Sequence, residues 1–137
     1  MAVISEGIRE SSEHTIDFGN YAVAEKLKVD NFQSGGDVYK VKTHAEVTRL
    51  EKNGRMIFES VPGSAVFDFI VSEKLIQFGA EGMGNTQMTL ELESQTDYKI
   101  YIDDVYADKI KTNISGKINF SMDLTNHVQN IKIEKVI

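Results

Sequence analysis

The chain has 137 residues, with 21 acidic against 15 basic side chains and a formal net charge of −6 at pH 7. This length fits a single hydrophobic core, and the acidic balance disfavours binding to nucleic acids or to anionic lipid surfaces. The chain has no cysteine, which excludes a thiol nucleophile, a disulfide framework and a cysteine-ligated metal centre.

The N-terminal residues carry acidic side chains and lack the basic start and apolar run of a secretory signal. No apolar run in the chain approaches the roughly 20 residues that a membrane-spanning helix needs. We therefore expect a cytoplasmic protein with no membrane and no nucleic acid among its partners. Because Ile4 and Ile8 are four residues apart, residues 1–12 are expected to form a short helix, weakened by Gly7, or an arm that docks on a neighbouring subunit.

From residue 22 onwards, apolar and polar side chains mostly alternate, which is the period of a β-strand with one buried face. The clearest case is residues 117–124, where Ile118, Phe120, Met122 and Leu124 are the apolar positions. The pattern predicts one all-β domain over residues 1–137, an antiparallel β-sandwich of about nine or ten strands that is either immunoglobulin-like or jelly-roll-like. The predicted strands cover residues 22–32, 39–50, 56–61, 65–71, 75–78, 88–92, 98–102, 117–124 and 129–136.

Short turns are predicted to join neighbouring strands. Asn53-Gly54 readily adopts the positive φ angles of a type I′ turn, so residues 39–50 are expected to pair antiparallel with residues 56–61. Asp103-Asp104 is a weaker candidate for the same kind of turn. By contrast, the three glycines within residues 79–85 predict a flexible loop with an exposed methionine at its tip.

Polar side chains offer few signs of a reactive site. The three histidines lack the spacing of metal motifs, and His44 is expected on the polar face of its strand. Asp103, Asp104 and Asp108 form the densest acidic cluster, which predicts a solvated hairpin or, as the alternative, a weak calcium site built from turn oxygens. Asp68 is expected to face solvent, because an unpaired buried carboxylate is costly. No nucleophile or cofactor motif is present, so no cofactor is expected.

Exposed tyrosines are candidates for carbohydrate binding, because sugar-binding sandwiches stack pyranose rings on aromatic side chains. Tyr101 occupies the polar face of its strand, away from Tyr98 and Ile100, and Tyr106 and Tyr21 are the other candidates. The chain has no tryptophan, which weakens the lectin signal. The same surface is alternatively a subunit interface, in which tyrosine is enriched.

Five residues of the second half match a spacing known from β-sandwiches. Leu92, Thr96, Tyr98, Ile100 and Ile102 follow the pattern L-x-x-x-T-x-Y-x-V-x-V. Here the chain resembles fibronectin type III domains. The closing strands of bacterial immunoglobulin-like modules are similar to the run Thr112, Asn113, Gly116, Ile118 and Phe120, and the two resemblances together cover about the last third of the chain. The resemblance implies a sandwich with a core leucine and a structural tyrosine, whose hydroxyl bonds to the backbone a few residues upstream. It implies nothing about a ligand.

The whole chain also resembles short single-domain β proteins of clostridial gut bacteria that are sometimes labelled endosialidase, and this resemblance implies a β fold. A sialidase needs three arginines that converge on the substrate carboxylate, and Arg9, Arg49 and Arg55 are the three arginines of this chain. Arg49 and Arg55 flank one predicted hairpin. Because the chain lacks tryptophan and the repeated turns of a sialidase propeller, we carry over the fold and not the activity.

Three functions remain open. We favour a non-catalytic interaction or structural module, which forms a homo-oligomer or binds a protein partner through sheet edges or the N-terminal arm, because catalytic motifs are missing. The alternative is a carbohydrate-binding module with Tyr101, Tyr106, Arg49 and Arg55 as its ligand-binding residues. The third is a small glycan hydrolase that uses paired carboxylates.

Overall fold

The computed structural model describes residues 2–137, and this range contains thirteen strands and no helix. All strand pairs are antiparallel and form two sheets, which confirms the predicted all-β architecture with more strands than expected. The strands are β1 (Ile8–Glu10), β2 (Ile16–Phe18), β3 (Leu27–Ser34), β4 (Asp37–Thr43), β5 (Thr48–Lys52), β6 (Arg55–Val61), β7 (Ser64–Val71), β8 (Leu75–Gly82), β9 (Gly84–Glu91), β10 (Asp97–Ile102), β11 (Val105–Lys111), β12 (Lys117–Leu124) and β13 (Gln129–Lys135).

The two sheets differ by one strand. Sheet A has seven strands in the order β1-β2-β7-β8-β13-β10-β11, and sheet B has six in the order β12-β9-β6-β5-β4-β3. The edge strands β1 and β3 contact each other, so they lie on one side of the sandwich, which we call the β1–β3 side. The remaining edge strands bound the opposite side, which we call the β11–β12 side.

The C-terminal half of the chain consists of nested antiparallel pairs. β10 pairs with β11, β9 pairs with β12, and β8 pairs with β13. These pairs belong in turn to sheet A, sheet B and sheet A. One long antiparallel hairpin is therefore rolled between the two layers, and this rolling leaves β11 and β12 as edges of the same side.

Four phenylalanines fill the centre of the core. Phe18, Phe58, Phe69 and Phe78 are each at most 4% exposed, and neighbouring ring centroids are 5.2–6.1 Å apart. Most of these ring pairs are edge-to-face, which is a favoured aromatic geometry. Since the rings come from β6 of sheet B and from β2, β7 and β8 of sheet A, they hold the two layers together.

The N-terminal segment is not helical, so the helix predicted within residues 1–12 is wrong. Ile4 and Ile8 are buried, at 0% and 3% exposure, but β1 begins at Ile8 and pairs with β2. Gly7 lies between them with a φ of +89°, and its carbonyl accepts the N–H of Gly19 at 3.0 Å. The four-residue spacing of Ile4 and Ile8 thus comes from a turn followed by a strand, because glycine at positive φ interrupts regular backbone.

The predicted strand 39–50 is two strands, β4 and β5, which pair with each other. His44 lies in the connection and is 7% exposed, so its expected place on a polar strand face is wrong. The hydroxyls of Thr43 and Thr48 hydrogen-bond across the connection at 2.7 Å. A Cβ at Gly63 would lie 2.0 Å from the His44 carbonyl oxygen. The break depends on this long-range packing, which local alternation does not encode.

The glycine-rich segment 79–85 is strand for most of its length, so the predicted flexible loop is wrong. β8 continues through Gly82 and leaves only Met83 between it and β9. Met83 is 66% exposed, as predicted. A Cβ at Gly79 would lie 2.6 Å from a side-chain carbon of Val128. Glycine therefore relieves crowding at this position and does not provide flexibility.

Three local predictions are confirmed. Asp103 and Asp104 have φ angles of 49° and 65°, as a type I′ turn requires. The backbone N–H of Glu93 donates to the Tyr98 hydroxyl at 3.3 Å, which is the kind of contact implied by the sandwich resemblance. Asp68 is exposed at a bulge in β7, away from the core.

Candidate binding site

A groove crosses one end of the sandwich, beside the β1–β2, β3–β4 and β5–β6 turns. Its central cavity has a volume of about 200 Å³, and Ile16, Ile57 and Phe69 form its apolar floor. A cavity of about 310 Å³ shares Lys52 and Ile57 with the centre, and one of about 370 Å³ shares the β3–β4 turn. We call the three together the end groove. Its size is in the range of small-molecule sites.

Two hairpin turns build the polar wall of the end groove. Consecutive glycines turn β3 into β4 with φ angles of 59° and 84°, and Asn53-Gly54 turns β5 into β6 with angles of 51° and 82°. Both turns use residues that adopt positive φ at low cost. Between the two turns, Tyr39 of β4 is the ladder partner of Lys52 of β5. Turn chemistry and register together bring an aromatic ring and a cation to the groove.

Asp37 organises the charges of this wall. Lys52 Nζ lies 3.6 Å from Asp37 Oδ2, and Asn53 Nδ2 donates to Asp37 Oδ1 at 3.0 Å. Burial, followed by the charge of Asp37, raises the pKa of Tyr39 above its ordinary value. The sequence interpretation did not single out these residues, although the Gly35-Gly36-Asp37 run and the Asn-Gly turn were the available signals.

The three arginines do not converge on one point. Each pairs with a different carboxylate: Arg9 with Asp17 at 3.0 Å, Arg49 with Glu59 at 2.6 Å, and Arg55 with Glu91. Arg55 lines the end groove beside Lys52. Arg49 alternates with the buried Leu50 and therefore lies on the outer face of sheet B. The hairpin that separates the two arginines thus places Arg55 beside the end groove and Arg49 on the outer face of sheet B.

Tyr101 and Tyr106 meet on the outer face of sheet A. They are ladder partners, and their ring centroids are 5.9 Å apart at an interplanar angle of 68°. Lys132 Nζ lies 4.7 Å from the Tyr101 centroid, which is a cation–π contact. Because the ammonium covers a face of the Tyr101 ring, this ring is a poor stacking platform for a sugar. Tyr106, at 54% exposure, is the open member of the pair.

The acidic residues near the β10–β11 turn serve local hydrogen bonds. Asp103 Oδ1 accepts the N–H of Asn130 at 2.8 Å, and Asp108 Oδ1 accepts the N–H of Lys109 at 2.8 Å. Within residues 2–137, no group of three or more histidine, aspartate or glutamate side chains is placed to hold a metal ion. The calcium alternative stays a prediction without geometric support.

β11 is exposed at six of its seven residues. Val105, Asp108 and Ile110 lie on its inner face, because they pair with core-facing residues of β10. Val105 is nevertheless 67% exposed. Since sheet A has one strand more than sheet B, we infer that β11 extends past β12 with no strand of sheet B across from it.

A buried pair on the opposite part of sheet A was also missed by the sequence interpretation. Glu81 lies on the outer face of β8, since it alternates with core-facing residues. It is nevertheless only 1% exposed, because the N-terminal segment covers it. Its carboxylate accepts the Tyr21 hydroxyl at 2.8 Å and the N–H of Ala2 at 3.1 Å. Burial first, then the hydrogen bond and charge of Glu81, raise the pKa of Tyr21 to about 12. Tyr21 therefore fixes this segment and is not an exposed sugar platform.

Comparison with family models, curated proteins and solved structures finds no match to this chain. The resemblances to fibronectin type III domains and to clostridial β proteins therefore stay predictions. Residues 2–137 include no helix that is both long and apolar enough to cross a membrane. The function of the chain is inferred from the geometry of the end groove and of the β11–β12 side.

Proposed function

We propose that this chain is a non-catalytic interaction module that binds a protein partner on its β11–β12 side. The observation that carries the proposal is the exposure of large apolar side chains there. Val105 and Tyr106 are the first two residues of β11 and are 67% and 54% exposed. Ile114, which follows the strand, is 77% exposed. Val105 lies on the inner face of β11 and Tyr106 on its outer face, so this edge presents apolar side chains on both faces. Tyrosine is enriched in protein interfaces.

The non-catalytic part of the proposal is supported by the pairing of the charged groups. Each arginine is ion-paired with its own carboxylate, and the most deeply buried carboxylate, Glu81, is held by Tyr21 and a backbone N–H. A catalytic site instead needs acid, base or nucleophile side chains that converge on one point with assigned roles.

We also propose that the sandwich is of the jelly-roll type rather than the immunoglobulin type. The nested pairs β10/β11, β9/β12 and β8/β13 support this assignment, because a jelly roll is a long antiparallel hairpin rolled between two layers. The Tyr98 contact alone would favour the immunoglobulin type. We give the pairing greater weight, since it involves six strands and the tyrosine contact only one turn.

Affinity capture with purified chain as bait tests the protein-partner proposal. The variant Val105→Glu/Tyr106→Glu places two charges on β11. Val61→Glu, which places one charge on another part of the surface, is the control, because Val61 is 51% exposed on β6 of sheet B. We expect one protein species to be retained by wild type and by Val61→Glu and lost with the double variant. Equal retention by all three chains, or retention by none, would contradict the proposal.

A second candidate function is carbohydrate binding, and the end groove favours it. The groove gathers Tyr39, Asp37, Lys52 and Arg55 over an apolar floor, and sugar sites combine an aromatic ring with hydrogen-bonding groups of this kind. A glycan array compares wild type with Lys52→Ala and with Lys28→Ala, an exposed lysine of β3, as control. A signal lost only in Lys52→Ala supports the candidate, and no signal for wild type contradicts it.

A further inference from the structure

The fold has four edge strands, and they differ in how they are protected from pairing. Proteins protect sheet edges by short strands, bulges and central charges. β1 has only three residues. β3 and β11 each carry a register shift, and both place charged residues within the strand.

β12 has none of these protections. It is eight residues long, and its ladder with β9 is unbroken from end to end. Its charged residues, Lys117 and Asp123, lie at or next to the ends, and the middle of the strand, residues 118–122, is uncharged. β12 is therefore the edge strand that is best suited to accept a further strand.

The backbone groups available at this edge can be identified. The N–H of Lys117 donates to Asn113 Oδ1 and its carbonyl accepts the Asn113 N–H, so both point away from β9. Backbone groups alternate along a strand, so Asn119, Ser121 and Asp123 also present their groups to the free edge. Within residues 2–137, no other segment hydrogen-bonds these groups.

The strand counts leave one position beside β12 unfilled. Sheet A has seven strands and sheet B has six, and the inner face of β11 is left uncovered at Val105. On β12 itself, Ile118 and Met122 are 1% and 6% exposed, but Phe120 between them is only partly buried. A seventh strand in sheet B would cover Phe120 and Val105 together.

We propose that sheet B binds one extended segment of a partner protein at β12, antiparallel, as its seventh strand. This inference rests on the proposed interaction function and names the kind of partner. Main-chain hydrogen bonds to Asn119 and Ser121 provide affinity, and alternate side chains of the partner provide specificity. The partner segment has apolar residues facing Phe120, a basic residue opposite Asp123 and an acidic residue opposite Lys117.

The occupant is a single strand and not a second copy of the whole domain. A second copy that paired through its own β12 would bring its own β11 into the space below the first β12. Two strands cannot occupy one position in sheet A, since neighbouring strands are roughly 4.8 Å apart. A strand from a flexible segment brings no second layer and avoids this conflict.

The sequence of β12 itself provides a probe with the required chemistry. A peptide with the sequence of residues 117–124, paired antiparallel about Phe120, places its lysine opposite Asp123 and its aspartate opposite Lys117. Its isoleucine then lies opposite Met122, and its asparagine opposite Ser121. The control peptide has the lysine and the aspartate exchanged, so that like charges are opposed at both ends while composition and net charge stay the same.

Titration of the full chain with fluorescein-labelled peptides tests the inference by anisotropy. Ser121→Pro removes one free-edge N–H without removing a bond to β9, and prolines are tolerated at such edge positions. Ser121→Ala is the matched control, which keeps the N–H. We expect millimolar or tighter binding of the first peptide to wild type and to Ser121→Ala, and at least about tenfold weaker binding to Ser121→Pro and of the exchanged peptide. Asn119→Pro repeats the test if Ser121→Pro fails to fold by circular dichroism.

The possible failures are distinguishable. If the peptide does not bind wild type, or binds all variants equally, the seventh strand is wrong, while capture that depends on Val105 and Tyr106 would still support the proposed function. Sedimentation that shows a dimer of wild type, lost in Ser121→Pro, would overturn the single strand in favour of a second copy. If the partner protein is no longer captured by Ser121→Pro or by the β11 double variant, but is still captured by both control variants, both proposals are supported together.

Discussion

The two sides of the sandwich differ in how their edge strands are covered. On the β1–β3 side the two edge strands contact each other, and the N-terminal segment covers the outer face of sheet A as far as β8: Ile4 is fully buried, and Ala2 and Tyr21 hydrogen-bond the buried Glu81. On the β11–β12 side, β11 carries exposed apolar residues and β12 has an open edge. Both sides end in strands of the same two sheets, so sheet formation alone does not explain the contrast.

The two sides also differ in how open their edge strands are to further pairing. On the β1–β3 side the edge strands of the two sheets contact each other, and β3 is bulged. Within residues 2–137 no comparable contact joins β11 and β12, and in the proposed interaction these two strands have different roles. β11 offers apolar area but carries charges and a bulge, whereas β12 offers unpaired backbone groups with an uncharged centre.

The largest expected contrast between the two sides is in stability. Phe18→Ala in β2, the strand next to β1, removes a core ring that is 0% exposed and leaves a cavity, so we expect a loss of about 3–5 kcal/mol in the free energy of unfolding. Tyr106→Ala on the open side truncates a ring that is 54% exposed, and we expect a loss of less than about 1 kcal/mol. Urea unfolding followed by circular dichroism measures both. Equal losses would show that Tyr106 is part of the core.

A second prediction asks whether the open side is also loosely built. Gly116, just before β12, has a φ of +79°, and a Cβ there would lie 2.2 Å from the Leu92 carbonyl oxygen. We expect Gly116→Ala to lower the free energy of unfolding by about 2–4 kcal/mol, because backbone must move in addition to the strain at positive φ.

The control for this prediction is Gly54→Ala. Gly54 has a similar φ of +82°, but no atom lies within 4 Å of the added Cβ. Its expected cost is therefore only the conformational strain, about 1–2 kcal/mol. If the two variants are equally destabilised in urea, the backbone before β12 adjusts to the added Cβ at little cost. The β11–β12 side is then less rigid than its packing indicates.

The sequence predicted those features that depend on neighbouring residues. The alternation of Ile118, Phe120 and Met122 identified β12, and the Asn53-Gly54 dipeptide identified the turn that aligns β5 with β6. Both signals lie within a few residues of the feature that they specify. The same local rule gave the antiparallel sandwich as a whole, but it missed β1, β2 and β11 and joined β4 to β5.

The features that the sequence did not predict depend on residues far apart in the chain. The buried His44 packs against Gly63, which has no Cβ to collide with the His44 carbonyl oxygen. Tyr39 lines the end groove because the β3–β4 and β5–β6 hairpins lie side by side. The open edge of β12 follows from sheet order, which periodicity does not encode. Of the residues predicted to bind a ligand, Arg55 lies in the end groove and Tyr106 at the β11–β12 side, while Arg49 lies in neither.

The closed side is expected to weaken at high pH, and the open side is not. The pKa of Tyr21 is raised from 10.0 to about 12, so the folded chain favours the protonated phenol. This contribution is complete below pH 10 and is lost as pH rises through about 12. Tyr21→Phe should lose less stability than wild type between pH 10 and 12. The control Tyr106→Phe should follow wild type in urea titrations across that range, and parallel curves for all three chains would show that the buried pair does not set the pH dependence.

The smallest expected effect on stability concerns the open edge itself. Ser121→Lys places a charge at the centre of the exposed outer row of β12, and Gln87→Lys places the same charge on its ladder partner in β9, one strand further in. Both should change the free energy of unfolding by less than about 0.5 kcal/mol, and both change the net charge equally. Only Ser121→Lys adds a charge at the edge, so it alone should slow aggregation on heating, as followed by light scattering, and weaken binding of the β12 peptide. If Gln87→Lys has the same two effects, net charge explains them, and the unprotected edge of β12 does not.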